Sequence, residues 1–141
     1  MIRRVKPEDE AALTEVIRAA YAPYQDAGLD LPPVDEGIAE DIRDRMVFVA
    51  ETDGRITGGV VMTATPPAAH LLNLAVDPEA GGQGLGTALL ARAVTEARMA
   101  GCRVMRLTTH REMTNTQAFY RRLGWQDDGA EGDKVFLRLA F

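Results

Sequence analysis

Apolar positions along this chain change period several times, and the changes mark its elements. Residues 2–6 read as a short strand. Pro7 then takes the first position of a helix, where Glu8, Asp9 and Glu10 complement the positive end of the dipole. Leu13, Val16, Ile17, Ala20 and Tyr24 recur at helical spacing and predict a buried stripe. Tyr21 and Tyr24 come at the end of that helix, before Pro23 and the Gly/Pro-rich segment 27–33 break it. A second, short helix is expected over 34–45, with Ile38, Ile42 and Met46 turned inward. Residues 47–51 form a strand, Asp53-Gly54 a hairpin turn, and 56–64 the partner strand. Gly58-Gly59 within it signals a bulge or the close approach of another segment. Pro66-Pro67 ends that strand, and a strand over 69–76 completes an antiparallel meander.

The second half alternates strand and helix. A helix over 84–100 places Leu85, Leu89, Leu90, Ala93, Val94, Ala97 and Ala100 on one arc, and Gly101 caps it. A strand over 104–109 follows. Strand, helix and strand span about forty residues, the length of a right-handed βαβ crossover, so the two strands should be parallel. A helix over 114–123 ends at Gly124. Then come a short strand at 125–127, turns from Asp128-Gly129 to Gly132-Asp133, and a terminal strand over 135–141. The fold class is α/β in the broad sense (α+β): a mixed, mostly antiparallel sheet of about six or seven strands, helices on both faces, a central βαβ crossover.

Composition narrows the picture. At 141 residues the chain is expected to be one domain, 1–141, and 46% hydrophobic residues suffice for a core. No apolar run is long enough to span a membrane and residues 1–7 lack an apolar signal region, so a soluble cytoplasmic protein is expected. A net charge of −5 argues against a nucleic-acid partner and is compatible with a cationic substrate such as an amine. The acidic stretch Asp35, Glu36, Glu40, Asp41 and Asp44 is either a solvated face or an attraction for an amine. The single cysteine, Cys102, reads as a small packed residue.

Candidate chemistry starts at Val76-Asp77-Pro78-Glu79-Ala80-Gly81-Gly82-Gln83-Gly84-Leu85-Gly86-Thr87. A glycine-rich turn that opens a helix leaves several N–H groups unpaired and pointing one way, and with the helix dipole these make a phosphate site. No Gly-Lys-Ser/Thr follows, so this is not a Walker A loop. A dinucleotide fingerprint fits only in part, because Thr87 stands where Gly or Ala is needed. The stretch resembles the acetyl-CoA pyrophosphate loop of the GNAT (GCN5-related) N-acetyltransferases, usually Gln/Arg-x-x-Gly-x-Gly/Ala. Gly84 and Gly86 supply its glycines, and Gly81 departs from its first position while retaining a backbone donor.

Ala118-Phe119-Tyr120-Arg121-Arg122-Leu123-Gly124-Trp125 resembles that family's second signature. Phe119 and Leu123 are core anchors by spacing; Tyr120, beside Phe119, must face another way. The resemblance implies a GNAT-like fold and direct attack of an amine on acetyl-CoA in a ternary complex. It implies that Leu74, Ala75 and Val76 pair with pantetheine like an added strand, one N–H polarising the thioester carbonyl. Gly81, Gly82, Gln83, Gly84, Leu85, Gly86 and Thr87 would hold the pyrophosphate, and Tyr120 would protonate the departing thiolate. The family's asparagine falls at Asn115 or Thr116, either of which could contact the cofactor. Many relatives carry a glutamate where this chain has Leu72, beside Asn73. His110, at a strand end, is the best substitute base and Glu112 the second; a water relay to bulk and an amine deprotonated before binding are the other options. Tyr21 and Tyr24 either line an acceptor pocket or cap the core. The chemistry requires no metal. A homodimer through a sheet edge or the terminal strand is an option for such folds. The alternatives are a degenerate member that binds CoA or acetyl-CoA without turnover, and a peptide- or lysine-modifying enzyme.

Overall fold

A computed structural model describes residues 1–141. Seven strands make one sheet: β1 (Ile2–Arg4), β2 (Met46–Thr52), β3 (Arg55–Thr65), β4 (Ala68–Val76), β5 (Val104–His110), β6 (Gln126–Glu131) and β7 (Lys134–Ala140). Their order is β1-β2-β3-β4-β5-β7-β6, and only the β4–β5 pair is parallel. The helices are α1 (Glu10–Asp26), α2 (Ile38–Asp44), α3 (Leu85–Met99), which carries the β4-to-β5 crossover, and α4 (Thr114–Arg122). The expected mixed sheet with a central crossover is therefore present. No helix is long and apolar enough to cross a membrane.

Period-2 alternation divides the core between the two faces. Val47 and Val49 pack with Leu13, Val16 and Ile17 on the side of α1 and α2. Phe48, between them, packs with Met62, Leu89 and Met105 on the side of α3 and α4. Gly58 and Gly59 let both layers close on β3. A Cβ at Gly58 would stand 2.9 Å from Leu89 Cδ1, and one at Gly59 would collide with Leu13 Cδ1 from the opposite face. The close approach expected of this pair is thus a helix on each side, and a bulge lies next to it, opposite Ala50 and Glu51.

Three boundaries differ from the sequence expectation. Pro23 lies inside α1 and does not break it: the ladder resumes with Ala27 N donating to Pro23 O at 3.1 Å. A proline near the exposed end of a helix removes one hydrogen bond without stopping it. The second helix starts at Ile38, four residues late, because Gly37 precedes it in the left-handed region, φ 75°. β6 runs on through Asp128-Gly129, where turns were expected, because β7 keeps pairing with it across an irregular register between Asp127 and Ala130.

Asp9 ties the first turn to the sheet edge. Its carboxylate accepts from Arg3 at 2.8 and 3.1 Å and from Lys6 N at 2.8 Å, and Arg3 reaches on to Glu51 at 3.1 Å. The Arg3 guanidinium holds the nearly buried carboxyl below the usual carboxylate range, against its desolvation. A depressed pKa contributes stability that is complete above the ordinary carboxylate value and is lost as pH falls through the folded one. Asp9→Ala is expected to cost about 2–4 kcal/mol at neutral pH by urea unfolding, and to flatten the loss of stability on acidification. An equally steep acid limb in the variant would show that another carboxylate controls it.

Candidate active site

The site begins with one extra residue in β4. Val61 pairs with Asn73 and Met62 with Leu71, which leaves Leu72 as a bulge. A bulge shifts the alternation by one place. Before it, Ala69 and Leu71 face the α3 core; after it, Ala75 faces the α1 core and Asn73 meets α1 side chains. Beyond this bend β4 leaves β5. The two pair only at Ala68↔Val104, Ala69↔Met105 and His70↔Arg106. β4 stays bonded to β3 as far as Val76, and β5 to β7 as far as His110. Two strand edges therefore face each other unpaired, and a cavity of about 560 Å³ fills the gap.

Leu74, Ala75 and Val76 line one side of the cavity and Leu107 to His110 the other. α1 adds Tyr21 and Tyr24, the following loop adds Asp30, Leu31, Pro32 and Val34, and α4 adds Thr116 and Tyr120. The Tyr120 ring is buried edge-on between Phe119 and Trp125, at centroid distances of 5.2 and 5.3 Å. Its hydroxyl makes no hydrogen bond within the chain yet is not sealed from solvent, so it opens on the cavity. Burial pushes its pKa well up, and the nearby Tyr21 adds to this. Burial also pushes Tyr21 up to about 12, with a contribution from Tyr24. Both phenols stay protonated at neutral pH.

Tyr21 donates to Asn73 Oδ1 at 3.3 Å, and Asn73 Nδ2 donates to Val34 O at 3.4 Å. The hydroxyls of Tyr24 and Thr116 lie 3.5 Å apart and join α1 to α4. Thr116 is therefore the member of the Asn115/Thr116 pair that reaches the cavity; Asn115 is exposed and does not line it. His110 lines the wall, with its Nδ1 accepting from Glu112 N at 3.0 Å and its Nε2 3.9 Å from Asp133 Oδ2. With the Nδ1 lone pair occupied, a neutral imidazole carries its proton on Nε2. In that tautomer the imidazole offers the cavity no lone pair, so a base role for His110 requires the Glu112 N contact to open. Glu112 is exposed and does not line the cavity.

The glycine turn follows β4 directly. Asp77 accepts from Glu79 N at 2.9 Å and pairs with Arg55 at 3.3 Å, so its carboxylate is already engaged. Gly81 departs from expectation: its N–H turns back to Pro78 O at 3.3 Å and is not a free donor. The N–H groups of Gly82, Gln83, Gly84, Leu85, Gly86 and Thr87 have no acceptor in the chain; Ala88, donating to Gly84 O, makes the first bond of α3. Gly84 enters the helix from the left-handed region at φ 74°. Unpaired amides at a helix start form an anion site. Gly86 links it to the cavity, since a Cβ there would stand 3.5 Å from Phe119 and 3.8 Å from Val76.

The chain thus brings together Tyr21, Tyr24, Tyr120, His110 and the 74–76 edge, with the free amides next to them. Sequence reasoning missed Asn73 as a site residue. Its signal was a single amide within the apolar run 71–76.

A family model described as "Acetyltransferase (GNAT) family" matches residues 11–125. An uncharacterized N-acetyltransferase of Methanocaldococcus jannaschii is 28% identical over 128 residues, covering 90% of this chain and 78% of that protein. Among solved structures, the PaiA N-acetyltransferase from Thermoplasma acidophilum in complex with coenzyme A is similar, with a TM-score of 0.89 and 22% identity over 100% of this chain and 98% of that one. The ribosomal-protein-S18-alanine N-acetyltransferase from Escherichia coli has a TM-score of 0.82 and 21% identity, over 99% and 92%.

Proposed function

The chain belongs to the acetyltransferase (GNAT) family, and from that we propose that it moves the acetyl group of acetyl-CoA to a primary amine by direct attack in a ternary complex. The observation that carries the reading is the opened β4 edge, with free amides at its end and the Tyr120 phenol on its wall. The amides of residues 82–87 take the diphosphate. The edge at Leu74 to Val76 pairs with the pantetheine amides, and one of its N–H groups polarises the thioester carbonyl. The amine nitrogen bonds to the carbonyl carbon, the carbon–sulfur bond breaks, and Tyr120 gives its proton to the thiolate. The phenolate recovers a proton from solvent. Tyr21 and Tyr24 flank the acceptor. The acceptor amine loses its proton to water, since Leu72 is apolar and His110 has no lone pair free. The PaiA complex with coenzyme A, which has the same fold, supports the choice of co-substrate.

The apolar Leu72 also favours a second reading, a CoA-binding protein without turnover. Calorimetry with CoA and with NAD, followed by thiol release over a panel of primary amines, separates the two. CoA binding with thiol release that depends on the amine is expected. Binding without release leaves the second reading, and no binding removes both.

A further inference from the structure

The two phenols on the cavity wall differ in what they have left to offer, and Asn73 is the reason. Its amide orientation is set by Val34 O, which can only accept, so Nδ2 must point there and Oδ1 must face Tyr21. Tyr21 therefore spends its single proton on Asn73, and its oxygen keeps lone pairs only. Tyr120 has no partner in the chain and keeps its proton available. The cavity thus carries an acceptor on its α1 wall and a donor on its α4 wall. Attack of an amine on a thioester needs that polarity: the nucleophile arrives with N–H groups to donate, and the leaving sulfur needs a proton.

We propose that Asn73 is a positioning residue which, by holding the Tyr21 hydroxyl proton, makes Tyr21 an acceptor-only dock for an N–H of the incoming amine. The inference rests on the acetyl-transfer reading above. The Leu72 bulge is its structural origin, because in an unbroken strand Asn73 would face the α3 core. Hydrogen bonds in such a dock are worth enough to change amine affinity about 5- to 10-fold each.

Two measurements test it. The first uses protein labelled with ¹³C at tyrosine Cζ in mixed H₂O/D₂O, where a slowly exchanging hydroxyl splits the signal; the chain has only 3 tyrosines. A split Tyr21 signal is expected, collapsing in Asn73→Leu. The second is steady-state kinetics with 2-phenylethylamine as the probe acceptor. Tyr21→Phe and Asn73→Leu should each raise its KM about 5- to 10-fold, with kcat and CoA affinity within about 2-fold. The double variant should be no worse than the poorer single one. A rapidly exchanging Tyr21 hydroxyl in the unaltered protein overturns the inference, as do losses that multiply in the double variant. If no amine is turned over, the transfer reading falls and takes this inference with it. With turnover intact, an unchanged KM in Asn73→Leu defeats this inference alone.

Discussion

Tyr120→Phe should lower the single-turnover rate of acetyl transfer about 100-fold or more, with CoA affinity unchanged within about 2-fold. The ring stays in place in this variant, because Phe fills the same space between Phe119 and Trp125. Only the hydroxyl goes, and it holds nothing within the chain. The thermal midpoint should therefore hold. Burial keeps the phenol protonated far above neutrality, so its donor role gives no titration between pH 6 and about 9. His110→Asn, measured alongside, should retain the acid limb of the rate profile, because its Nδ1 is already committed to Glu112 N. A Tyr120→Phe enzyme that transfers acetyl at the original rate when chemistry limits would remove the phenol from the mechanism. An acid limb that vanishes in His110→Asn would return the base to the imidazole.

The second large effect concerns Gly84. A Cβ there meets nothing within 4 Å, so packing does not oppose a substitution. The backbone does: φ is 74°, a region that a β-branched residue enters at a cost of about 1–3 kcal/mol. Gly84→Val should relax that angle and turn the amides of 82–87 away from a common point. Charge-assisted bonds to phosphate are among the stronger ones, and losing two or three of them should weaken CoA binding about 100-fold by calorimetry. Gly54→Val is the control. It has φ 78° and equally open surroundings, but lies in the β2–β3 hairpin. It should cost similar stability and leave CoA affinity alone. Equal losses of affinity in the two variants would mean that general destabilisation, not the amide cradle, is being read.

Most of the fold was legible because its signals are local. Leu13, Val16 and Ile17 repeat at helical spacing, Asp53-Gly54 can hardly be anything but a tight turn, and Gly84, Gly101 and Gly124 stand at helix ends where the left-handed region is needed. The errors were local rules overruled by neighbours. Pro23 predicts a break that the rest of α1 bridges, and Asp128-Gly129 predicts a turn that pairing with β7 pulls into a strand. The site was legible in part. The glycine turn and Tyr120 announce themselves by residue type and spacing. Asn73 did not, because its facing depends on where β4 bulges, and a strand's own residues do not say which partner it will skip past.

By itself, then, the sequence determined the order and type of the helices and strands, most of the turns between them, and that a row of backbone donors precedes α3, since these follow from backbone sterics and from apolar period. Tertiary structure alone decided that β4 parts from β5 after His70 and that Asn73 turns toward α1. It also decided that the Gly81 N–H and the His110 Nδ1 lone pair are engaged within the chain. Those outcomes depend on which hydrogen-bond partner lies nearest once the sheet is assembled, and partners distant in sequence meet only then.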